Sequence, residues 1–144
     1  MSEANDAVGK CPFAATLLRH DFGCDRALEV TRRGGAEIGC TDAQAQPRCA
    51  ALFEALKAAA LPALGFEDDL TATPHSVYVK IQFGGLLGLM RLLGEAGAER
   101  VDNVRALVEQ AGWQYGDPAA IPGAELVSAI SAYRQKGRGR SGSV

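Results

Sequence analysis

The sequence predicts a mainly α protein: a single-domain bundle of about four to five helices, with a short N-terminal β-hairpin in a cysteine-bearing subregion. Three observations favour this fold class. The chain has 144 residues and is 47% hydrophobic, which is typical of one globular domain. Apolar residues recur at helical spacing in several segments, and all 4 cysteines fall within the first third of the chain.

The composition divides the chain into an arm, one domain and a tail. We expect a flexible arm at 1–10, an α-rich domain at 11–136 and a disordered basic tail at 137–144. Within the domain, 11–49 carries the cysteines and 50–136 is a helical scaffold. The region 50–133 has ten acidic and five basic side chains, whereas the segment after it is basic. An acidic body of this kind argues against general nucleic-acid binding.

The first elements are a short helix and a hairpin. Pro12 can begin a helix that Gly23 ends. From Ala27 to Cys40 the apolar residues alternate, which is typical of strands. A three-residue loop at 33–35 would pair Val30 with Ile38 and Leu28 with Cys40. Such a hairpin would return Cys40 to the neighbourhood of Cys24.

The second helix has the clearest pattern. Asp42 is a candidate cap, Pro47 suits a first turn, and Pro62 and Gly65 are expected to end the helix. Its apolar stripe consists of Cys49, Leu52, Phe53, Leu56 and Ala60.

A third helix is predicted from Thr73 as N-cap and Pro74 as first residue to about Leu93. Gly84 and Gly88, four residues apart, would let a neighbouring backbone approach closely. Because Gly85 offers a break, a strand over 77–83 followed by a shorter helix is the alternative. The apolar run 77–93 contains two basic side chains and a glutamine, so we expect a buried element and no membrane insertion.

Two further helices are predicted at 102–111 and 125–136. The region between them, 112–118, is rich in glycine and ends in proline, which is typical of a turn. We expect its indole side chain, Trp113, to anchor onto the core.

The four cysteines, Cys11, Cys24, Cys40 and Cys49, are the candidate site residues. Their spacing, Cys-x12-Cys-x15-Cys-x8-Cys, contains no Cys-x-x-Cys pair and so differs from the usual zinc-ribbon and bacterial ferredoxin patterns. A glycine precedes two of them, and a cysteine in the first turn of the second helix would have its thiol pKa lowered by the helix dipole. Arginines interleave with them and would offset the charge of thiolates: Arg19, Arg26, Arg32, Arg33 and Arg48.

Three occupants of such a site stay open. An iron–sulfur cluster, preferably 4Fe–4S, suits four thiolates from separate loops, because a cubane is larger than a single ion. Zinc is the alternative, with His20 as a possible substitute ligand. No metal at all is the third, with the cysteines as packed or redox thiols; a disulfide framework is less favoured in a cytoplasmic protein.

Conventional enzyme signatures are missing from the sequence. The glycines at 84–88 lack the lysine of a phosphate loop, and His75 beside Asp68 and Asp69 suits a solvated helix start. The sequence therefore favours a small cytoplasmic iron–sulfur protein, for electron transfer or as an accessory subunit whose partner is a redox enzyme or an electron donor or acceptor. The alternatives are a zinc-stabilised or metal-free helical interaction module and a thiol redox sensor.

Overall fold

A computed structural model describes residues 8–95 and 97–134. Helices dominate it, and a small antiparallel sheet lies near the N-terminus, as predicted. The strands are β1 (Gly9–Lys10), β2 (Ala27–Arg32) and β3 (Gly35–Cys40). The helices are α1 (Ala14–Leu17), α2 (Ala45–Leu64), α3 (His75–Leu92), α4 (Val104–Tyr115) and α5 (Gly123–Ala132), with a 3-10 turn at Pro118–Ala120.

The sheet has the order β1-β3-β2. The prediction of a flexible arm over 1–10 is wrong for residues 8–10, because they pair with β3. Residues 1–7 lie outside the described part. Gly9 is opposite Cys40, and the Val8 N–H donates to the Cys40 carbonyl at 2.7 Å. These contacts satisfy backbone groups that the open edge of β3 would otherwise leave unpaired.

The β2–β3 hairpin forms, but in a different register from the predicted one. Arg32 pairs with Gly35, so the loop has two residues instead of three. Val30 consequently faces Glu37, and Ala27, not Leu28, is opposite Cys40. Gly35 takes the left-handed φ of +122° that the tight connection needs.

Helix α2 follows the prediction in its buried stripe but runs through Pro62 to Leu64. It ends at Gly65, whose φ of +86° allows the Gly65 and Phe66 N–H groups to bond back to the last turn. At the other end, Asp42 Oδ1 accepts hydrogen bonds from the N–H groups of Gln44 and Ala45 at 2.9 and 3.0 Å, which is the expected capping role.

Helix α3 is continuous, so the strand-plus-helix alternative is wrong. It begins one residue later than predicted, because the Thr73 hydroxyl donates to the Glu67 carbonyl and does not cap the helix. Gly84 lets α5 approach closely, as predicted: a Cβ built there would lie 2.6 Å from the Ile130 Cα. Gly88 has the same role, 2.8 Å from the Ala129 Cβ.

Helix α4 extends four residues beyond the prediction, to Tyr115, and ends at Gly116. Trp113 therefore belongs to a helix and does not anchor onto the core: its side chain is 79% exposed. The reason is helical geometry, since Trp113 is two residues past the buried Ala111 and points away from that face. Helix α5 ends at Ala132, short of the predicted 136, and the predicted tail at 137–144 lies outside the described residues.

The core lies where α2, α3 and α5 meet, with α4 and α1 packed around it. Leu56, Ile81, Leu86, Leu89 and Ile130 are fully buried there. Phe13 and Phe22, from the N-terminal region, extend the same cluster. Within the described ranges, no helix combines the length and apolar character that crossing a bilayer requires.

Candidate functional site

The four cysteines line one small cavity between the sheet and helices α2 and α4. Each comes from a different place in the chain. Cys11 follows β1, Cys24 lies in the loop before β2, Cys40 ends β3 and Cys49 lies on α2. All four are free thiols; Cys40 and Cys49 are buried and the other two are half-buried.

The small sheet explains why three of the thiols meet. Ala27 pairs with Cys40 across the hairpin, which places Cys24 beside the end of β3. The Cys11 N–H donates to the Ile38 carbonyl at 3.0 Å, which holds the segment after β1 against the other edge of β3. Helix α2 then brings Cys49 over this end of the sheet. Cys40 therefore lies in the neighbourhood of Cys24, as expected, although the strands pair one residue away from the predicted register.

A backbone amide donates to one of the sulfur atoms: the Asp42 N–H lies 3.4 Å from Cys40 Sγ. Such N–H donors stabilise negative charge on sulfur and are among the features that set the potential of iron–sulfur centres.

Burial dominates the acidity of two thiols. It raises the pKa of Cys11 to about 12, and the pKa of Cys49 to about 12 as well, with the other three cysteines repelling a charge on Cys49. The expected lowering by the helix dipole is wrong. Cys49 is the fifth residue of α2, beyond the first turn in which the dipole acts, and burial outweighs the field. These thiols become thiolates readily only when a positive charge binds among them.

Charged side chains surround the cavity in ion pairs. Arg105 donates two hydrogen bonds to Asp25, from Nε to Oδ1 at 2.7 Å and from Nη2 to Oδ2 at 2.8 Å. Arg26 reaches Asp42 at 3.1 Å and Asp25 at 3.7 Å. Because these carboxylates follow Cys24 and Cys40 within two residues, the Arg105 pair fixes the Cys24 loop against α4 and the Arg26–Asp42 pair joins the two cysteine loops.

The predicted arginines have separate positions. Arg26 lines the cavity, whereas Arg48 pairs with Glu109 at 3.7 Å and Arg19 contacts Asp21 at 4.0 Å. Arg33 lies in the hairpin turn. The sequence reasoning missed Arg105, which comes from α4, 81 residues after Cys24, where no local pattern marks it.

His20 is not among the residues that line the cavity. It adopts a left-handed backbone with a φ of +62°, and its carbonyl accepts a hydrogen bond from Arg100 at 3.0 Å. Asp68 and Asp69 hold their own turn: Asp68 pairs with Lys57 at 3.2 Å, and Asp69 accepts a hydrogen bond from the Thr71 N–H. This agrees with the predicted solvated turn beside His75.

The cavity is tightly filled. Its free volume is about 10 Å³, about the space that one water molecule needs. Across 8–95 and 97–134, no three His, Cys, Asp or Glu side chains are arranged to hold a metal ion. A tetrahedral zinc ion needs its sulfur ligands about 2.3 Å from the metal. Any bound group therefore requires the thiols to rotate or the loops to move outward.

Comparisons with known proteins add no functional information. No protein family model matches the chain, and neither curated proteins nor solved structures show significant similarity to it.

Proposed function

We propose that the chain is a small iron–sulfur protein that binds one cluster, preferably 4Fe–4S, through Cys11, Cys24, Cys40 and Cys49. The observation that carries the proposal is the convergence of all four cysteines of the chain on one cavity. Core packing alone gives no reason for four thiols from four segments to line the same cavity.

Two further features support this use of the thiols. Arg26 and Arg105 line the cavity, and their ion pairs with Asp42 and Asp25 hold two guanidinium groups beside a centre whose four thiolates give it a net negative charge. The Asp42 N–H already donates to Cys40 Sγ. In this role the protein passes single electrons between a donor and an acceptor, or serves as the accessory subunit of a redox enzyme, in a reducing cytoplasm.

The test is purification without oxygen, followed by reconstitution with iron and sulfide. We expect broad visible absorption, about four irons and four sulfides per chain, and loss of this absorption in Cys49→Ala. Leu52→Ala is the matched control, because Leu52 lies one turn further along α2 and is 2% exposed. This substitution should lower the free energy of unfolding by about 2–5 kcal/mol. The folded fraction of the variant should keep the visible absorption. A colourless protein after reconstitution contradicts the proposal.

A zinc-stabilised or metal-free helical interaction module is the second candidate, and the small free volume of the cavity favours it. One zinc per chain by elemental analysis, with no visible spectrum, supports the zinc form. Folding that is unchanged by a chelator and by replacement of all four cysteines supports the metal-free form.

A thiol redox sensor is the third candidate, and the proximity of the four thiols is its support. The raised pKa values of Cys11 and Cys49 oppose it, since oxidants react with thiolates. Mass spectrometry after mild peroxide treatment separates this candidate from the others: reversible disulfides among the four cysteines support a sensor.

A further inference from the structure

A second groove, between α2 and the second half of α4, has no assigned role. It has a volume of about 460 Å³, within the range of about 300–1,000 Å³ that is common for small-molecule sites. Helix α2, the second half of α4 and the 3-10 turn at Pro118–Ala120 form its walls. Leu52, Val108 and Ile121 are buried side chains that line it.

Trp113 makes this groove unusual. It lines the groove and yet is 79% exposed, one of four large hydrophobic side chains exposed in the described part of the chain. An exposed indole beside an apolar groove offers a flat face on which an aromatic ring stacks. Gly112, which also lines the groove, carries no side chain, and a Cβ there would meet no atom within 4 Å beyond its own helix and chain neighbours, so this part of the groove is open.

Two charged residues line the groove, Arg48 and Glu109. Arg105 holds Glu109 Oε1 at 3.0 Å, so the carboxylate already has a close cationic partner. The Arg48 side chain is 54% exposed; its guanidinium approaches Glu109 only to 3.7 Å and donates no hydrogen bond within the described ranges. The guanidinium is thus ion-paired with Glu109, but its N–H groups can still donate hydrogen bonds to an anion.

We propose that this groove binds a planar aromatic molecule that carries one anionic group. The ring stacks on Trp113 over the apolar floor, and the anion receives hydrogen bonds from Arg48. The groove neighbours the thiol cavity, because Pro47 and Arg48 directly precede Cys49 on α2. Binding itself does not depend on a cluster, so this proposal and the proposed function fail or succeed separately.

Fluorescence of the protein tests the groove directly, because Trp113 is the one tryptophan in the chain. The probe is anthraquinone-2-sulfonate, a planar aromatic monoanion. We expect saturable quenching, and an affinity about threefold to fivefold lower in Arg48→Gln, as for a half-exposed charge pair. Higher salt should weaken the sulfonate and leave an uncharged anthraquinone unaffected.

Gly112 supplies a variant that blocks the groove without endangering the fold. Gly112→Leu places a side chain in the open space, and it should abolish saturable quenching. Gly112→Ala, the matched control, keeps the helix and adds one carbon, and it should retain binding. Quenching that never saturates, or that is equal in the leucine and alanine variants, overturns the proposal, since it then comes from random collisions with an exposed indole. A dimer in solution that Gly112→Leu dissociates also overturns it, because a second copy then covers the groove.

Discussion

The region before α2 and the helical scaffold are stabilised by different kinds of contact. In the scaffold, α3 and α5 interlock through glycines, and large apolar side chains are fully buried. Before α2, a two-residue strand, a short hairpin and a four-residue helix are joined by ion pairs and hydrogen bonds. The N-terminal region contributes Phe13 and Phe22 to the core of the scaffold, and it also closes around four buried or half-buried thiols.

This difference indicates where the proposed cluster would matter for folding. Small sheets are only marginally stable unless they pack against other elements. Each surface ion pair around the thiol cavity contributes little to the stability of the folded state. The proposed cluster would tie four segments of the chain together. The scaffold needs no such group, so each region should respond to a different perturbation.

The largest effect should come from the scaffold. Gly84→Ala places a Cβ 2.6 Å from the Ile130 Cα, so the backbones of α3 and α5 must separate. We expect a loss of about 2–3 kcal/mol in the free energy of unfolding, measured by urea denaturation. Gly112→Ala is the matched control, since its Cβ meets open space and the substitution should gain about 0.5–1 kcal/mol through helix propensity. Equal effects of the two substitutions would show that α3 and α5 are not in close contact.

Removal of the proposed metal should affect the other region. Hydrogen exchange of the backbone amides in β2 and β3 should speed up by about thirtyfold, since metal-binding energy stabilises the segments that supply the ligands. Amides of α3 and α5 serve as the internal control and should change less than twofold. Uniform acceleration along the chain would mean that the two regions unfold as one unit.

The scaffold was the easier region to predict from sequence. Its helices are long, and their apolar residues repeat locally, so α2 and α3 were expected near their observed positions. The errors are at boundaries: Gly112 and Trp113 were assigned to a turn, although the helix continues through them to Gly116. Glycine is tolerated inside a helix, and the sequence alone does not show which glycine ends it.

The candidate site was predictable only in part. The clustering of cysteines and the hairpin indicate that Cys24 and Cys40 lie near each other, and both line the cavity. Strand β1 has two residues and no periodicity to detect. The pairing of Asp25 with Arg105 spans 80 residues and depends on the packing of α4, which no local pattern reveals.

That pairing gives a smaller test at the junction of the two regions. The Arg105 guanidinium holds the pKa of Asp25 down at about 2 by direct hydrogen bonds. Asp25→Asn should lower the free energy of unfolding by about 1 kcal/mol, a value reduced for the partial exposure of Asp25. Asp102→Asn is the control, because Asp102 is 90% exposed although it contacts Arg100 at 2.9 Å. A loss as large in the control would mean that the Asp25 pair does not join the Cys24 loop to α4.

The smallest effect concerns a buried cation within the scaffold. Lys57 is 14% exposed, lies 4.9 Å from the Phe53 ring centroid, and pairs with Glu54 and Asp68 at 3.0 and 3.2 Å. Burial alone would lower the pKa of Lys57, but the hydrogen bonds to the two carboxylates outweigh it and raise the pKa. Stability from a raised lysine pKa is complete below the unfolded value and is lost as pH rises through the folded value.

Lys57→Met keeps the packing and removes the charge, so it should cost roughly 0.5 kcal/mol at pH 7. The difference from the unchanged protein should shrink above pH 10, measured by denaturation from pH 7 to 11. The neighbouring Tyr78 hydroxyl donates to the same Asp68 at 3.1 Å, so both proteins are measured in a Tyr78→Phe background. Visible absorption of a reconstituted cluster should be the same in both, because Lys57 does not line the thiol cavity. If the stability difference between the two proteins grows with pH instead, the buried charge of Lys57 destabilises the folded scaffold.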